Sequence, residues 1–141
     1  MNADSKNHFA LLATKLFIPP ARVDLVQRSR LTEQLNQSLQ QKLTLISAPA
    51  GFGKTTLLGE WIPRSPRCVS WVALDKGDNE PARFWNYVIA ALQMLQNDLG
   101  KNTQALLASA QPPSLETMLT SLVNEIAAFP RPSRLCSMII T

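Results

Sequence analysis

One run of the chain, residues 43–58, restricts the possible folds more than any other, and it reads LTLISAPAGFGKTTLL. An apolar, β-branched stretch leads into a loop of small residues that ends in Gly-Lys-Thr, and a helical pattern follows. This order of strand, loop and helix is that of a P-loop, where backbone N–H groups and the helix dipole bind a polyphosphate. The run therefore predicts an α/β fold with a phosphate site at the end of a strand.

The predicted phosphate cradle consists of Ala48, Pro49, Ala50, Gly51, Phe52, Gly53, Lys54, Thr55 and Thr56. Lys54 would reach the β- and γ-phosphates, and the Thr55 hydroxyl would bind Mg²⁺. Gly51 and Gly53 let the backbone approach the phosphates without an intervening Cβ. The usual pattern has glycine at the position of Ala48, and Gly51 supplies some of the freedom lost there. The alternative is a strand-turn-helix corner that carries Gly-Lys-Thr without binding phosphate.

The composition is that of a small globular protein and excludes several classes of function. The chain has 141 residues, 45% of them hydrophobic and 17% charged, which predicts one domain at most or a piece of a larger one. The net charge is +4, but the basic residues are scattered, which favours a solvated surface over a nucleic-acid patch. The only histidine, His8, lies in a polar N-terminal stretch, so we assign no catalytic residue.

The cysteines and the hydropathy pattern indicate a cytoplasmic protein. Cys68 and Cys136 lack the spacing of metal ligands, and Cys68 is predicted to be a buried thiol. No apolar run approaches the roughly 20 residues of a membrane span, and the N-terminus lacks the core of a signal peptide.

Periodicity and proline positions predict the remaining elements. Helices are expected over residues 29–41, 55–62, 81–95 and 114–129, and strands over 42–47 and 68–74. Strands that alternate with helices favour a parallel, doubly wound sheet.

Three carboxylates, Asp75, Asp78 and Glu80, follow the second predicted strand, at the sheet end where ligands bind in open α/β folds. They could order a water or Mg²⁺, but we favour a solvated acidic loop. Trp71 and Trp85 are interpreted as packing residues rather than as surfaces for a base or a partner.

Taken together, these segments resemble the N-terminal ATPase module of the MalT-like, LuxR-type transcriptional regulators, which are STAND P-loop NTPases. The matching segments are residues 14–20, 26–31, 47–57, 71–75 and 77–85. The family also has alanine at the position of Ala48. The resemblance, over about residues 12–133, implies an ATP- and Mg²⁺-binding switch, with Arg28 and Arg30 in a lead-in near the base.

The resemblance also implies domains and a motif that these residues do not contain. Family members continue into a sensor domain for an inducer and a C-terminal helix-turn-helix for promoter DNA. Their Walker B strand, which ends in Leu-Asp-Asp-Tyr-His, should follow the prolines at 130 and 132. The sequence instead continues as RLCSMIIT over residues 134–141, without an acidic residue.

The hypothesis that accounts best for this tail is a shift of reading frame. The last base of the Met138 codon and the first two bases of the Ile139 codon spell GAT, which encodes Asp, and the neighbouring codons can spell the rest of the motif. We therefore predict that residues 134–141 are an aberrant tail produced by a frameshift. A natural short protein with an unrelated apolar end is the alternative.

The expected organisation is an extended lead-in over residues 1–28, a partial P-loop NTPase domain over 29–133 and the tail over 134–141. The expected function is ATP binding by a truncated MalT-like regulator that lacks a Walker B acid for hydrolysis. A small P-loop kinase or other NTPase, and a fragment without activity, stay open as alternatives. Because complete sheets commonly have about five strands, the isolated chain is expected to self-associate.

Overall fold

A computed structural model describes residues 10–20, 26, 28–41, 44–128 and 136–140, the last of these by their backbone alone. The helices in these ranges are α1 (Ser29–Ser38), α2 (Lys54–Trp61), α3 (Pro81–Leu95), α4 (Lys101–Leu107) and α5 (Leu115–Ala128). The strands are β1 (Cys68–Val72) and β2 (Cys136–Ile140). Short 3-10 turns cover Ala13–Leu16, Ile62–Arg64 and Lys76–Asp78.

The chain divides into two compact units. The first, called the sheet unit here, consists of residues 1–17 and 68–141, and the second, the loop unit, consists of residues 18–67.

In the sheet unit, β1 and β2 pair in parallel, with Cys68 opposite Cys136 and Val72 opposite Ile140. Parallel neighbours need a crossover connection, and α3, α4 and α5 lie in it. This arrangement fits an incomplete α/β fold, although the described strands do not form the larger sheet expected behind a P-loop. β2 falls within the predicted tail, and its pairing does not test the frameshift, which stays a prediction.

Helix α3 supplies the core of the sheet unit on two of its faces. Tyr87 and Ala91 pack with Val72 of β1, and all three are fully buried. Ile89 packs with Leu99 and with Leu122 of α5. The 15-residue helix begins at Pro81, whose fixed φ suits the first turn, and the Glu80 side chain accepts hydrogen bonds from the backbone of that turn.

In the loop unit, α1 and α2 contact each other. Their buried side chains are Leu35, Leu57, Leu58 and Trp61, and the Trp61 indole donates a 2.8 Å hydrogen bond to Asn36. Gly59 permits a close approach here, because a Cβ on it would lie 3.0 Å from the Pro19 carbonyl oxygen.

The bounds of most predicted helices and strands are confirmed to within one to three residues. The predicted strand over residues 42–47 is wrong in the part that the structure describes. Residues 44–47 of the predicted strand 42–47 are not in a strand, and Leu45 is 86% exposed. The apolar, β-branched residues indicate a preference for strand, but a strand also needs a neighbour to satisfy its N–H and C=O groups.

Two smaller differences concern α4 and Cys68. Helix α4 was not predicted, and the Cys68 thiol is half-buried rather than buried. His8 lies outside the described residues.

Candidate functional site

The predicted cradle, residues 48–56, lies in the loop unit and leads directly into α2. Gly53 is the N-cap of this helix, and the Leu57 N–H donates to the Gly53 carbonyl at 2.9 Å. The N–H groups of the first turn, residues 54–56, therefore have no acceptor within the helix. Such a helix terminus is suited to bind an anion.

The cradle backbone depends on its two glycines. Gly51 has φ of 85° and Gly53 has φ of 77°, both in the left-handed region. An L residue there costs roughly 1–2 kcal/mol, so the local sequence favours glycine at both positions. A Cβ on Gly51 would meet no atom within 4 Å, which leaves that side of the loop open.

The Lys54 side chain folds back over the cradle. Its ammonium donates to the carbonyl oxygens of Ala48 and Pro49, the latter at 3.1 Å. The Phe52 N–H also donates to Pro49, at 3.4 Å, and closes the turn. Lys54 is thus held at the loop through two carbonyl contacts that a phosphate could replace. Thr55 is exposed at the start of α2.

Arg28 brings a second cation to the same loop. Its guanidinium donates to the Phe52 carbonyl at 3.2 Å. The same group lies 3.4 Å from where a Cβ on Gly53 would stand. Arg28 also lines a cleft with the first turn of α1 and the C-terminal end of α2, where Glu60 pairs with Arg64 at 3.3 Å. The family resemblance gave only weak support for Arg28 and Arg30 near the nucleotide base. Arg30 is exposed and has no described contact with the loop.

The chemistry of these groups fits a polyphosphate. An ammonium, a guanidinium and free helix N–H groups all donate hydrogen bonds, and charge-assisted bonds to phosphate are among the strongest in proteins. The residues of the cradle include no carboxylate that would repel the phosphates. The exposed Thr55 hydroxyl is an oxygen ligand of the kind that Mg²⁺ prefers.

The acidic loop of the sheet unit differs from the prediction at Asp78. Only 2% of this side chain is exposed, and its carboxylate accepts from the Lys15 ammonium, from Arg83 Nε at 3.1 Å and from the Asp75 N–H at 2.9 Å. Asp75 and Glu80 are exposed, as a solvated loop predicts. The interpretation of a solvated loop is therefore wrong for Asp78, because two cations compensate its burial.

The same contacts shift the acidity of these groups. The hydrogen bond from Lys15 lowers the pKa of Asp78 and of Asp75, and both hydrogen bonds raise the pKa of Lys15. Asp78 thus stays ionised and serves as an internal anchor. Its partner Lys15 lies 63 residues away in sequence, which is why the sequence pattern alone did not reveal the pair.

Trp71 and Trp85 both serve in packing. Trp71 is 2% exposed in β1. Trp85 meets Phe84 edge to face, with the ring centroids 5.1 Å apart, and packs against the cluster around Ile89. The interpretation as packing residues is confirmed. None of the described helices has the length and hydropathy needed to cross a membrane.

Comparison with known proteins finds HTH-type transcriptional regulators named MalT. The protein from Cronobacter sakazakii is 37% identical over 122 residues, which cover 86% of this chain and 13% of that protein. Those from Klebsiella pneumoniae and Serratia proteamaculans are each 35% identical over the same extent. No family model matches the chain. The chain thus spans about 13% of the length of these relatives, and the resemblance to MalT-like regulators is confirmed.

Proposed function

From its homology to a segment of the MalT transcriptional regulators, we propose that this chain is the nucleotide-binding part of such a regulator. The ligand would be ATP with Mg²⁺, bound by residues 48–56. The observation that carries the proposal is the position of Lys54, whose ammonium lies over a loop that Gly51 and Gly53 hold in left-handed conformations just before α2.

Each part of the cradle would have a distinct role. The N–H groups of the loop and of the first turn of α2 would bind phosphate oxygens. Lys54 would exchange its contacts with Ala48 and Pro49 for the β- and γ-phosphates, while Arg28 adds positive charge beside Phe52. Mg²⁺, when bound with the nucleotide at Thr55, would offset the negative charge of the phosphates.

A binding switch accounts for the residues better than an enzyme does. Asp78, one of the three carboxylates considered for ordering a water, is already bound to Lys15 and Arg83. Contacts with DNA and with an inducer would belong to other parts of a longer regulator. The cytoplasmic location stays a prediction.

Titration of a fluorescent ATP analogue against the wild-type chain and Lys54→Ala tests the proposal. The matched control is Lys101→Ala, because Lys101 is also a lysine at the start of a helix but is exposed and, among the described residues, pairs with Asp98 alone. We expect binding that is at least about tenfold weaker in Lys54→Ala, a loss of 1.4 kcal/mol or more, and unchanged in Lys101→Ala. Equal affinity of Lys54→Ala and wild type would refute the phosphate site.

Phosphate release distinguishes the alternative of a small P-loop kinase or NTPase. An enzyme would need a base or a water-positioning acid beside the γ-phosphate. We expect no release above a Lys54→Ala control when ATP and Mg²⁺ are supplied. Clear turnover that depends on Lys54 would favour the enzyme and would reopen a catalytic role for Asp75 or Glu80.

A further inference from the structure

The two cysteines of the chain occupy opposite positions in the sheet unit. Cys68 is the first residue of β1 and Cys136 is the first residue of β2, and the parallel register pairs them directly. Residues opposite each other in neighbouring strands lie on the same face of the sheet. The sequence has no other cysteine, so the fold brings both of its cysteines to one place.

The spacing of paired strands suits a covalent link between these two positions. Neighbouring strands lie about 4.7–4.9 Å apart, and the Cα atoms of a disulfide are usually about 4.4–6.8 Å apart. The Cβ atoms of a disulfide lie about 3.5–4.5 Å apart, so a slight approach of the strands is needed. Because each cysteine begins its strand, this adjustment disturbs fewer ladder hydrogen bonds than one in mid-strand.

The start of β1 is also open to a small reagent. Cys68 and Val69 are half-buried, whereas the next three residues of the strand are buried. The Cys68 thiol is free. A thiolate at this end of the strand is therefore accessible enough to attack a disulfide in solution.

Helix packing in the sheet unit keeps the two strand starts close in the folded chain. Three helices separate the cysteines in sequence. Helix α3 contacts both strands, and its Ile89 packs with Leu122 of α5. Such positioning makes a reaction between two groups of one chain much faster than it would be if they met at random.

We propose that Cys68 and Cys136 form an internal disulfide when the chain meets an oxidising low-molecular-weight disulfide. The Cys68 thiolate, after loss of its proton, attacks one sulfur of the reagent and releases one small thiolate. The Cys136 thiolate then attacks the Cys68 sulfur of this mixed disulfide, joins β2 to β1 and releases the second small thiolate. The two protons from the cysteines end on the two small thiols, so the chain loses two electrons and the reagent gains them.

Addition of oxidised glutathione to the dilute, folded chain tests the proposal. We expect mass spectrometry to show a monomer that is lighter by two hydrogen atoms. Digestion without reductant should yield the peptide of Cys68 linked to that of Cys136, and dithiothreitol should restore the original mass. Chains that stop at glutathione adducts, or that link only to a second copy, would overturn the proposal.

An exchange of two neighbouring residues supplies a control of identical composition. In the variant Cys136→Ser with Ser137→Cys, the second cysteine lies opposite Val69 and on the other face of the sheet from Cys68. We expect this folded variant to form the internal disulfide at least about tenfold more slowly than wild type. In urea the two chains should react at the same rate, because the register is lost there. Equal rates in the folded state would refute the dependence on register.

Thermal melting of the reduced and the oxidised wild-type chain needs no variant. The link closes a loop that contains α3, α4 and α5, and a cross-link over a long loop mainly lowers the entropy of the unfolded chain. The oxidised chain should therefore melt roughly 5–15 °C higher than the reduced chain. If it melted no higher, the bond would not fit the paired strands and the proposal would fail. No step needs a nucleotide, so these results are independent of the proposed function.

Discussion

Gly100→Ala should be among the most destabilising single-methyl changes in this chain. Gly100 precedes α4 with φ of 79°, and an ideal Cβ there would lie 2.8 Å from Ile89 Cγ2, inside the fully buried core. The left-handed backbone costs an alanine about 1–2 kcal/mol, and overpacking adds about 1–3 kcal/mol. Alanine also lowers the conformational entropy of the unfolded chain, which offsets about 0.4–1 kcal/mol of this destabilisation. The expected loss of unfolding free energy is thus about 3 kcal/mol.

Gly51→Ala is the matched control, because its φ of 85° is similar and its Cβ would meet no atom within 4 Å. It should therefore cost only about 1 kcal/mol, the backbone part alone. Urea unfolding followed by far-ultraviolet circular dichroism measures both values. Placing Gly100→Ala in an Ile89→Ala background should shrink its penalty, since the clashing methyl is gone. A Gly100→Ala penalty no larger than that of Gly51→Ala would refute the steric argument.

Three further outcomes follow from the described contacts. Asp78→Asn should lower the melting temperature more than Asp75→Asn, because 2% of the Asp78 side chain and 65% of the Asp75 side chain are exposed; equal shifts in thermal scans would contradict this. Burial raises the pKa of Glu125, but hydrogen bonds from Thr103 outweigh it and the net pKa is lowered. The stability that Glu125 provides is then present at neutral pH and is lost as the pH falls through that lowered pKa. Glu125→Gln should therefore make the urea midpoint less dependent on pH in the acid range. An unchanged pH dependence would argue against the hydrogen bonds from Thr103 to Glu125 as its source. The isolated chain should elute from size exclusion as self-associated species, since Leu45 is 86% exposed; a sharp monomer peak with a cooperative melt above about 65 °C would contradict this.

Local signals explain why the helices could be predicted. Pro81 and the capping carboxylate of Glu80 define the start of α3 within a few residues of sequence, and apolar residues every three to four positions define its buried face. The glycines at 51 and 53 likewise act through their own backbone angles, so the shape of the cradle follows from nearby residues.

Features that depend on distant partners could not be predicted in this way. Helix α4 has seven residues and starts at a glycine without a capping side chain of its own. Its free N–H groups at Asn102 and Thr103 are instead satisfied by Glu125 of α5, over 20 residues away. A short helix is marginal by propensity alone, so this cap could be found only from the tertiary structure.

The same distinction explains why the cradle and the segment before it differ. A phosphate loop needs backbone freedom, a helix terminus and a cation, and residues 51–54 supply all three within four positions. A strand needs another strand, and residues 44–47 have the β-branched residues but no strand partner among the described residues. The local geometry at Lys54 is therefore formed although residues 44–47, the described part of the predicted strand before it, are not in a strand. It follows that the shape of the cradle and strand pairing are separable properties of this chain, and that a second element beside Leu45 should raise stability more than it changes the cradle.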